Sequence, residues 1–219
     1  MGCRCEPASE LPHHPLYARF YRWTSATAEA RGQSNLRRRL LSGLAGRVIE
    51  IGAGSGLNFP FYPSEATEVV AVEPEPYLRQ VARDAAGKAP VRVTFIDGIA
   101  ERLPVPDASF DAGVVSLVLC SVADPRRALG ELRRVIRSGG ELRFYEHVLA
   151  SNPWLRRVQR AVDRFVWPRL SGGCHPARDT EAAIQEAGFV IRSCERFDFR
   201  PSVLMLPETP RILGTAVRL

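Results

Sequence analysis

The sequence predicts an α/β fold: a seven-stranded, mostly parallel sheet with helices on both faces and an antiparallel last strand. Three observations predict it. Short apolar runs alternate with helical patterns along most of the chain, the signature of βαβ units. The first such run, Arg47 to Ile51, leads straight into the glycine-rich turn Gly52-Ala53-Gly54-Ser55-Gly56. The last two runs, Phe189 to Asp198 and Ile212 to Leu219, have no helical pattern between them, so they pair antiparallel at one edge.

Taken in order, residues 1–14 read as a loose tail and 15–219 as one domain. From Pro15 to Ser42 the pattern is helical, with Leu16, Phe20 and Trp23 on one face and Leu36, Leu40 and Leu44 on another. Pro60 and Pro63 keep any helix after the glycine turn short. Glu68 to Val72 is a second strand, followed by Glu73-Pro74-Glu75-Pro76 and a helix over Tyr77 to Ala86. Val91 to Ile96 is a third strand, and Ala108 to Cys120 contains a fourth. Pro125 to Arg137 is a helix that Ser138-Gly139-Gly140 closes, as glycine commonly does. Glu141 to His147 is a fifth strand. Helices over Pro153 to Trp167 and Thr180 to Ala187 follow.

The 219 residues suit a single large core. The longest apolar run, Ala112 to Cys120, is strand length, far short of the roughly 18 residues a membrane helix needs, so no membrane association is expected. The start, MGCRCEPASELPHHP, has no apolar core, so no secretory signal is expected. Glu6 stands where an acylation signal needs Ser or Thr. Five scattered cysteines, an odd number, point to reduced thiols in a cytoplasm. The net charge is +6. However, Arg37-Arg38-Arg39 and Arg133-Arg134 fall in helical patterns, where they read as solvated faces. No basic stripe with aromatic platforms exists, so no nucleic-acid partner is expected.

The glycine turn narrows the ligand. Its spacing is G-x-G-x-G, with Leu57 where a dinucleotide fingerprint has its third glycine, and no G-K-[ST] of a P-loop follows. Glu50 just before it repels a pyrophosphate and suits an ammonium group. Glu73, 17 residues after Gly56 at the end of the second strand, can accept both hydroxyls of a ribose, as in Rossmann-like sheets. S-adenosylmethionine has the ribose and the ammonium and lacks phosphate.

V-I-E-I-G-A-G-S-G, A-V-E-P, G-I-A-E-R-L-P-V-P-D-A-S-F-D and L-R-R-V-I-R-S-G-G-E-L together span residues 46–143. As a set they resemble the class I S-adenosylmethionine-dependent methyltransferases. N-F-P-F-Y-P, S-L-V-L-C-S-V, E-H-V and G-G-C are similar, more narrowly, to a vertebrate group that methylates alkyl thiols. Members of that group are anchored by an N-terminal apolar segment; this chain lacks that segment, so a soluble relative is expected, a monomer or homodimer. The resemblance also implies a donor-binding core over 46–150, a helical lid over 15–45, and acceptor-side helices and the last two strands over 151–219. Gly52, Ala53, Gly54, Ser55 and Gly56 are then expected under the methionine and ribose, with Asn58 and Pro74 beside them. Glu50 is expected on the ammonium side, and Glu73 on the ribose. Gly98, Ile99, Ala100 and Glu101 are expected around the adenine, where many members carry Asp in place of Ile99. Ser116 and Leu117 are expected at the methionine.

Methyl transfer from a sulfonium is an in-line displacement, which needs alignment and exclusion of water. The acceptor is expected beyond the ends of the fourth and fifth strands. His147 and Cys120 are the catalytic candidates: His147 as base, and Cys120 lining the pocket, because the donor reacts directly with the acceptor. Glu146 is expected to hold His147 or a helix end. Tyr17, Tyr21, Trp154 and Cys174 are expected around a small, weakly charged acceptor, with Phe20, Trp23, Phe165 and Trp167 near them. Cys174-His175 with His147 and Cys120 is a conceivable zinc set, but no C-x-x-C or H-x-x-x-H spacing supports it, so no metal is expected. A thiol acceptor is favoured. O- or N-methylation of a natural product or quinone stays open, as do RNA methylation and a non-catalytic donor-binding role.

Overall fold

The computed structural model describes residues 18, 19, 22, 25, 27–165, 167, 173–200 and 209–219. The expected tail over 1–14 lies outside the described residues, as do Leu16, Tyr17, Phe20, Tyr21 and Trp23. Seven strands form one sheet: β1 (Gly46–Ile51), β2 (Ala66–Val72), β3 (Val93–Ile96), β4 (Phe110–Ser116), β5 (Ile136–His147), β6 (Phe189–Phe199) and β7 (Thr209–Arg218). Their order is β3-β2-β1-β4-β5-β7-β6. β1 to β5 pair in parallel. β7 inserts between β5 and β6 and runs antiparallel to both.

Among the described residues, five helices flank the sheet: α1 (Ser34–Leu41), α2 (Pro76–Ala86), α3 (Pro125–Val135), α4 (Pro153–Phe165) and α5 (Thr180–Glu186). Glu75, Asp124 and Asp179 cap the N-termini of α2, α3 and α5 by accepting from the backbone of the first turn. Ahead of α1, Glu29–Gln33 is a π-helical turn broken at Gly32. Between β1 and β2 only the short 3₁₀ turn Phe59–Phe61 forms, as Pro60 and Pro63 dictate. The central strands β1, β2 and β4 are largely buried on both faces because both are covered, whereas the edge strand β6 is mostly exposed. Ile49, Ile51 and Val115 pack with Leu129 and Leu132 of α3 on one side. Val48, Val69 and Val114 pack with Leu36 and Leu40 of α1 on the other.

One expected boundary is wrong. Ser138-Gly139-Gly140 does not close a helix but lies inside β5. α3 ends at Val135, and the β4–β5 register then jumps from Phe110↔Ile136 to Ala112↔Glu141. A Cβ at Gly140 would stand 2.7 Å from the carbonyl oxygen of Asp111. Gly140 serves a bulge, where the two backbones meet too closely for a side chain, and Gly139 beside it takes a φ of 77°. No helix among the described residues is long and apolar enough to cross a membrane.

Candidate active site

The turn after β1 is left-handed at every second residue: Gly52, Gly54 and Gly56 have φ of 63, 57 and 77°. Space forbids a side chain as well. A Cβ would stand 2.6 Å from Val118 at Gly52, and 2.7 Å from the Phe59 ring at Gly56. The turn therefore presents bare backbone at the carboxyl end of the sheet. Ala53, Ser55 and Asn58 are buried around it.

Glu73, at the end of β2, is buried beneath this turn. Its Oε2 accepts from the Gly54 amide at 2.7 Å, and its Oε1 accepts from the Glu75 amide at 2.9 Å. Each oxygen keeps a second lone pair for a hydroxyl donor. Burial raises the carboxyl above its ordinary range, and the two amides pull it back. Arg79 donates to the carbonyls of Glu73 at 2.8 Å and Pro74 at 3.2 Å, which fixes the turn. A cradle of bare backbone beside a buried bidentate acceptor fits the ribose and methionine portions of the donor.

Glu50 is fully buried and occupied. It accepts from Asn58 Nδ2 and from the Tyr62 hydroxyl, each at 2.7 Å. Burial pushes its carboxyl up to about 7. Behind Asn58 stands Arg37, which the sequence places on a solvated face. The structure corrects this: Arg37 is only 3% exposed. It donates to Asn58 Oδ1 at 2.8 Å, Glu29 Oε1 at 2.9 Å and Ser116 Oγ at 3.3 Å. α1 packs against β5 and β7, and Arg37, beside its apolar stripe, meets polar groups at Asn58 and at Ser116, the end of β4. Helical periodicity separates faces, but it does not reveal a partnered charge inside one.

On the third edge, Ile99 bridges to Arg102 and Ala100 is buried, just after Gly98. Glu101 accepts from the Asp124 amide at 3.1 Å, so its carboxylate is engaged at the loop before α3. At the end of β4, Ser116 meets Arg37, and Leu117 has φ of 61°, an uncommon state for a non-glycine residue. Its amide donates to the Tyr145 carbonyl at 2.7 Å, which holds the turn.

The acceptor-side candidates converge. Glu146, fully buried at the end of β5, accepts from the amides of Val118 and Leu119 at 2.9 and 3.0 Å and of Cys120 at 3.4 Å. It thus holds the loop after β4, neither His147 nor a helix end as expected. Burial pushes Glu146 to about 7 against the pull of these amides. His147 Nδ1 lies 3.5 Å from Cys120 Sγ and 3.7 Å from Cys174 Sγ. The Cys174 loop is fastened beside it: the His175 amide donates to the Cys120 carbonyl at 2.6 Å. A hydrogen bond between the thiols, with burial, pushes Cys120 well above the thiol range, and the same bond holds Cys174 below it. Three of the predicted residues, from three separate segments, therefore form one cluster. His175 turns instead to Asp163, at 3.3 Å. Trp154 is 67% exposed and not packed as core. Tyr17 and Tyr21 lie outside the described residues.

Comparison with known proteins agrees with this geometry. Residues 49–144 match a family model described as a methyltransferase domain. Thiol S-methyltransferase TMT1B of Mus musculus is 35% identical over 184 residues, 81% of this chain and 74% of the relative. A demethylmenaquinone methyltransferase of Clavibacter sepedonicus is 35% identical over 125 residues, 57% of this chain and 50% of the relative. Among solved structures, an S-adenosylmethionine-dependent methyltransferase from Thermotoga maritima superposes with a TM-score of 0.68 at 22% identity, covering 93% of this chain and 99% of that one. One from Mesorhizobium loti gives 0.64 at 20%, covering 87% and 100%. With the glycine turn, the buried acid after β2 and the order of the sheet, these matches show that the chain belongs to the class I S-adenosylmethionine-dependent methyltransferases.

Proposed function

We propose that the enzyme methylates the sulfur of a small thiol. The observation that carries this reading is the cluster of Cys120, His147 and Cys174, which gives the acceptor side soft, apolar sulfur surroundings with an imidazole beside them. Its similarity to the mouse thiol S-methyltransferase over most of the chain supports it. The free cysteines suit a reducing cytoplasm, where thiol acceptors stay reduced.

The donor supplies an electrophilic methyl carbon on a sulfonium and leaves as S-adenosylhomocysteine. Glu73 accepts from its ribose hydroxyls, and the backbone of Gly52, Gly54 and Gly56 lies against its ribose and methionine. Glu50 and Asn58, backed by Arg37, form the polar wall on the ammonium side. The backbone at Gly98, Ile99 and Ala100 borders the adenine, and Ser116 and Leu117 border the methionine. His147 takes the acceptor's proton, a modest task for a thiol with an ordinary pKa of about 8.5. Cys120 and Cys174 line the pocket.

A labelled donor with a panel of alkyl thiols, phenols, quinols and amines tests the reading. Label on an alkyl thiol is the expected result. Label on a quinol or phenol and on no thiol would overturn it in favour of the quinone reading, which the similarity to demethylmenaquinone methyltransferases supports.

A further inference from the structure

We propose that Cys120, His147 and Cys174 bind a zinc ion whose fourth position takes the sulfur of the acceptor, an inference whose second half rests on the thiol reading above. Tetrahedral zinc with Zn–S of about 2.3 Å and Zn–N of about 2.0–2.1 Å sets sulfur and nitrogen ligands about 3.6 Å apart. His147 Nδ1 stands 3.5 and 3.7 Å from the two sulfurs, and all three candidate ligand atoms lie within 4.8 Å of one another. Ion and ligands therefore fit with little movement.

The donor set selects the ion. Two thiolates and an imidazole favour zinc over magnesium or calcium, which take oxygen. Three protein ligands and an open position is the arrangement of catalytic zinc, whereas structural zinc has four. The cluster is also built to stay in place. Three amides around Cys120 are clamped by Glu146. The Cys174 loop is tied to the Cys120 carbonyl, and His147 is fixed at the end of β5 by pairing with Arg211 of β7. Both sulfurs are buried while His147 is half-buried, so the open position is on the imidazole side.

Such a site changes how the acceptor is activated. A thiol entering the fourth position loses its proton to water, because a metal-bound thiol is deprotonated. Ligated through Nδ1, His147 no longer takes that proton itself. The bound sulfur donates an electron pair to the methyl carbon while the sulfonium C–S bond breaks. The electron pair of that bond stays on the sulfur of S-adenosylhomocysteine. The negative thiolate and the positive sulfonium cancel, so both products are neutral. The methyl thioether is a poor ligand and leaves the ion.

The test uses the full chain, stripped with a chelator, held in a phosphine reductant that keeps Cys120 and Cys174 from pairing, and titrated with cobalt(II). One equivalent is expected to give thiolate-to-cobalt charge transfer and the intense visible bands of a tetrahedral site, both erased by zinc. Cys174→Ser and His147→Ala, with native circular dichroism, are expected to weaken cobalt binding at least about tenfold. Absence of tetrahedral bands in the wild type, or equal bands in the folded variants, overturns the metal site. Butane-1-thiol added to the cobalt protein is expected to shift the visible bands, and no shift overturns the fourth-position claim. Labelled methyl transfer to the thiol panel, before and after zinc removal, separates the two readings. Unchanged transfer without metal overturns zinc activation and leaves the thiol reading standing. Metal binding with no thiol methylated overturns the thiol reading and leaves the metal site.

Discussion

Arg37 donates to Asn58 across 2.8 Å, and Asn58 in turn donates to Glu50 across 2.7 Å. A residue of the N-terminal helical segment is thereby joined to the buried carboxylate just before the glycine turn. Removing the cation would leave Asn58, Glu29 and Ser116 short of a buried partner. Arg37→Ala is expected to lower stability by about 3 kcal/mol, the range for breaking a buried polar pair, and to weaken donor binding. Arg37→Lys should lose much of the same, because an ammonium lacks the fork that reaches three acceptors. Urea unfolding and donor calorimetry on both variants check this. Wild-type values for Arg37→Lys would mean that charge alone matters.

Glu50 makes stability depend on pH. Its folded pKa of about 7 lies above the ordinary 4.5 because burial disfavours the charged form. The unfolded chain therefore releases this proton first. The group's stabilising contribution is complete below about pH 4.5 and is lost as pH rises through 7. The span corresponds to about 3 kcal/mol. Glu50→Gln cannot ionise, so relative to wild type it should gain up to about that much stability between pH 4.5 and 8. A constant difference across the series, measured by denaturant unfolding, would show that Glu50 stays charged when folded.

Glu73 is expected to act on the donor as well as on the fold. Its oxygens accept from two amides and have lone pairs left for the ribose. Glu73→Ala is expected to weaken donor binding by about 2–3 kcal/mol, the worth of charged hydrogen bonds. Binding of S-adenosylhomocysteine by calorimetry is the measurement. Unchanged affinity would place the ribose elsewhere.

Gly56 combines a φ of 77° with a Cβ position 2.7 Å from Phe59 and 2.9 Å from Ala85. Gly56→Ala is thus strained in its backbone and overpacked, and should destabilise by about 2–4 kcal/mol. The thermal midpoint checks it, and a shift of less than a degree would show that the turn gives way freely.

The parallel sheet and the glycine turn with its two acids were legible because local pattern encodes them. Strand, turn and acid lie within 28 residues from Gly46 to Glu73, so spacing alone locates them. The antiparallel pairing of the last two strands was legible as the lack of a helical pattern between them, but the insertion of β7 beside β5 was not. Nor was the bulge at Gly140, because a glycine pair after a helical run closes a helix just as well. Nor was burial of Arg37, which depends on Glu29, Asn58 and Ser116, the last 79 residues away. The cluster of Cys120, His147 and Cys174 was not legible either, because no local motif joins the three. Cys120 and His147 stand at the ends of two neighbouring strands, and Cys174 arrives on a loop. Only the folded sheet brings them together.

Glu146 offers the sharpest test of how that cluster is held. Its two oxygens accept from three consecutive amides, of Val118, Leu119 and Cys120. Glutamine keeps the shape but replaces one oxygen with an NH₂ group, which would then face an amide donor with no acceptor between them. Glu146→Gln should therefore destabilise by about 1–3 kcal/mol, the penalty for a buried donor left unpaired. It should also displace Cys120, which a loss of packing elsewhere would not do selectively. Donor affinity should stay within about twofold, since Glu73 and the glycine turn are untouched, while turnover falls at least about tenfold. Glu146→Asp, which restores the charge on a shorter arm, should recover part of the turnover. Equal losses in donor affinity and turnover would mean that the carboxylate supports the whole carboxyl edge of the sheet rather than the cysteine loop.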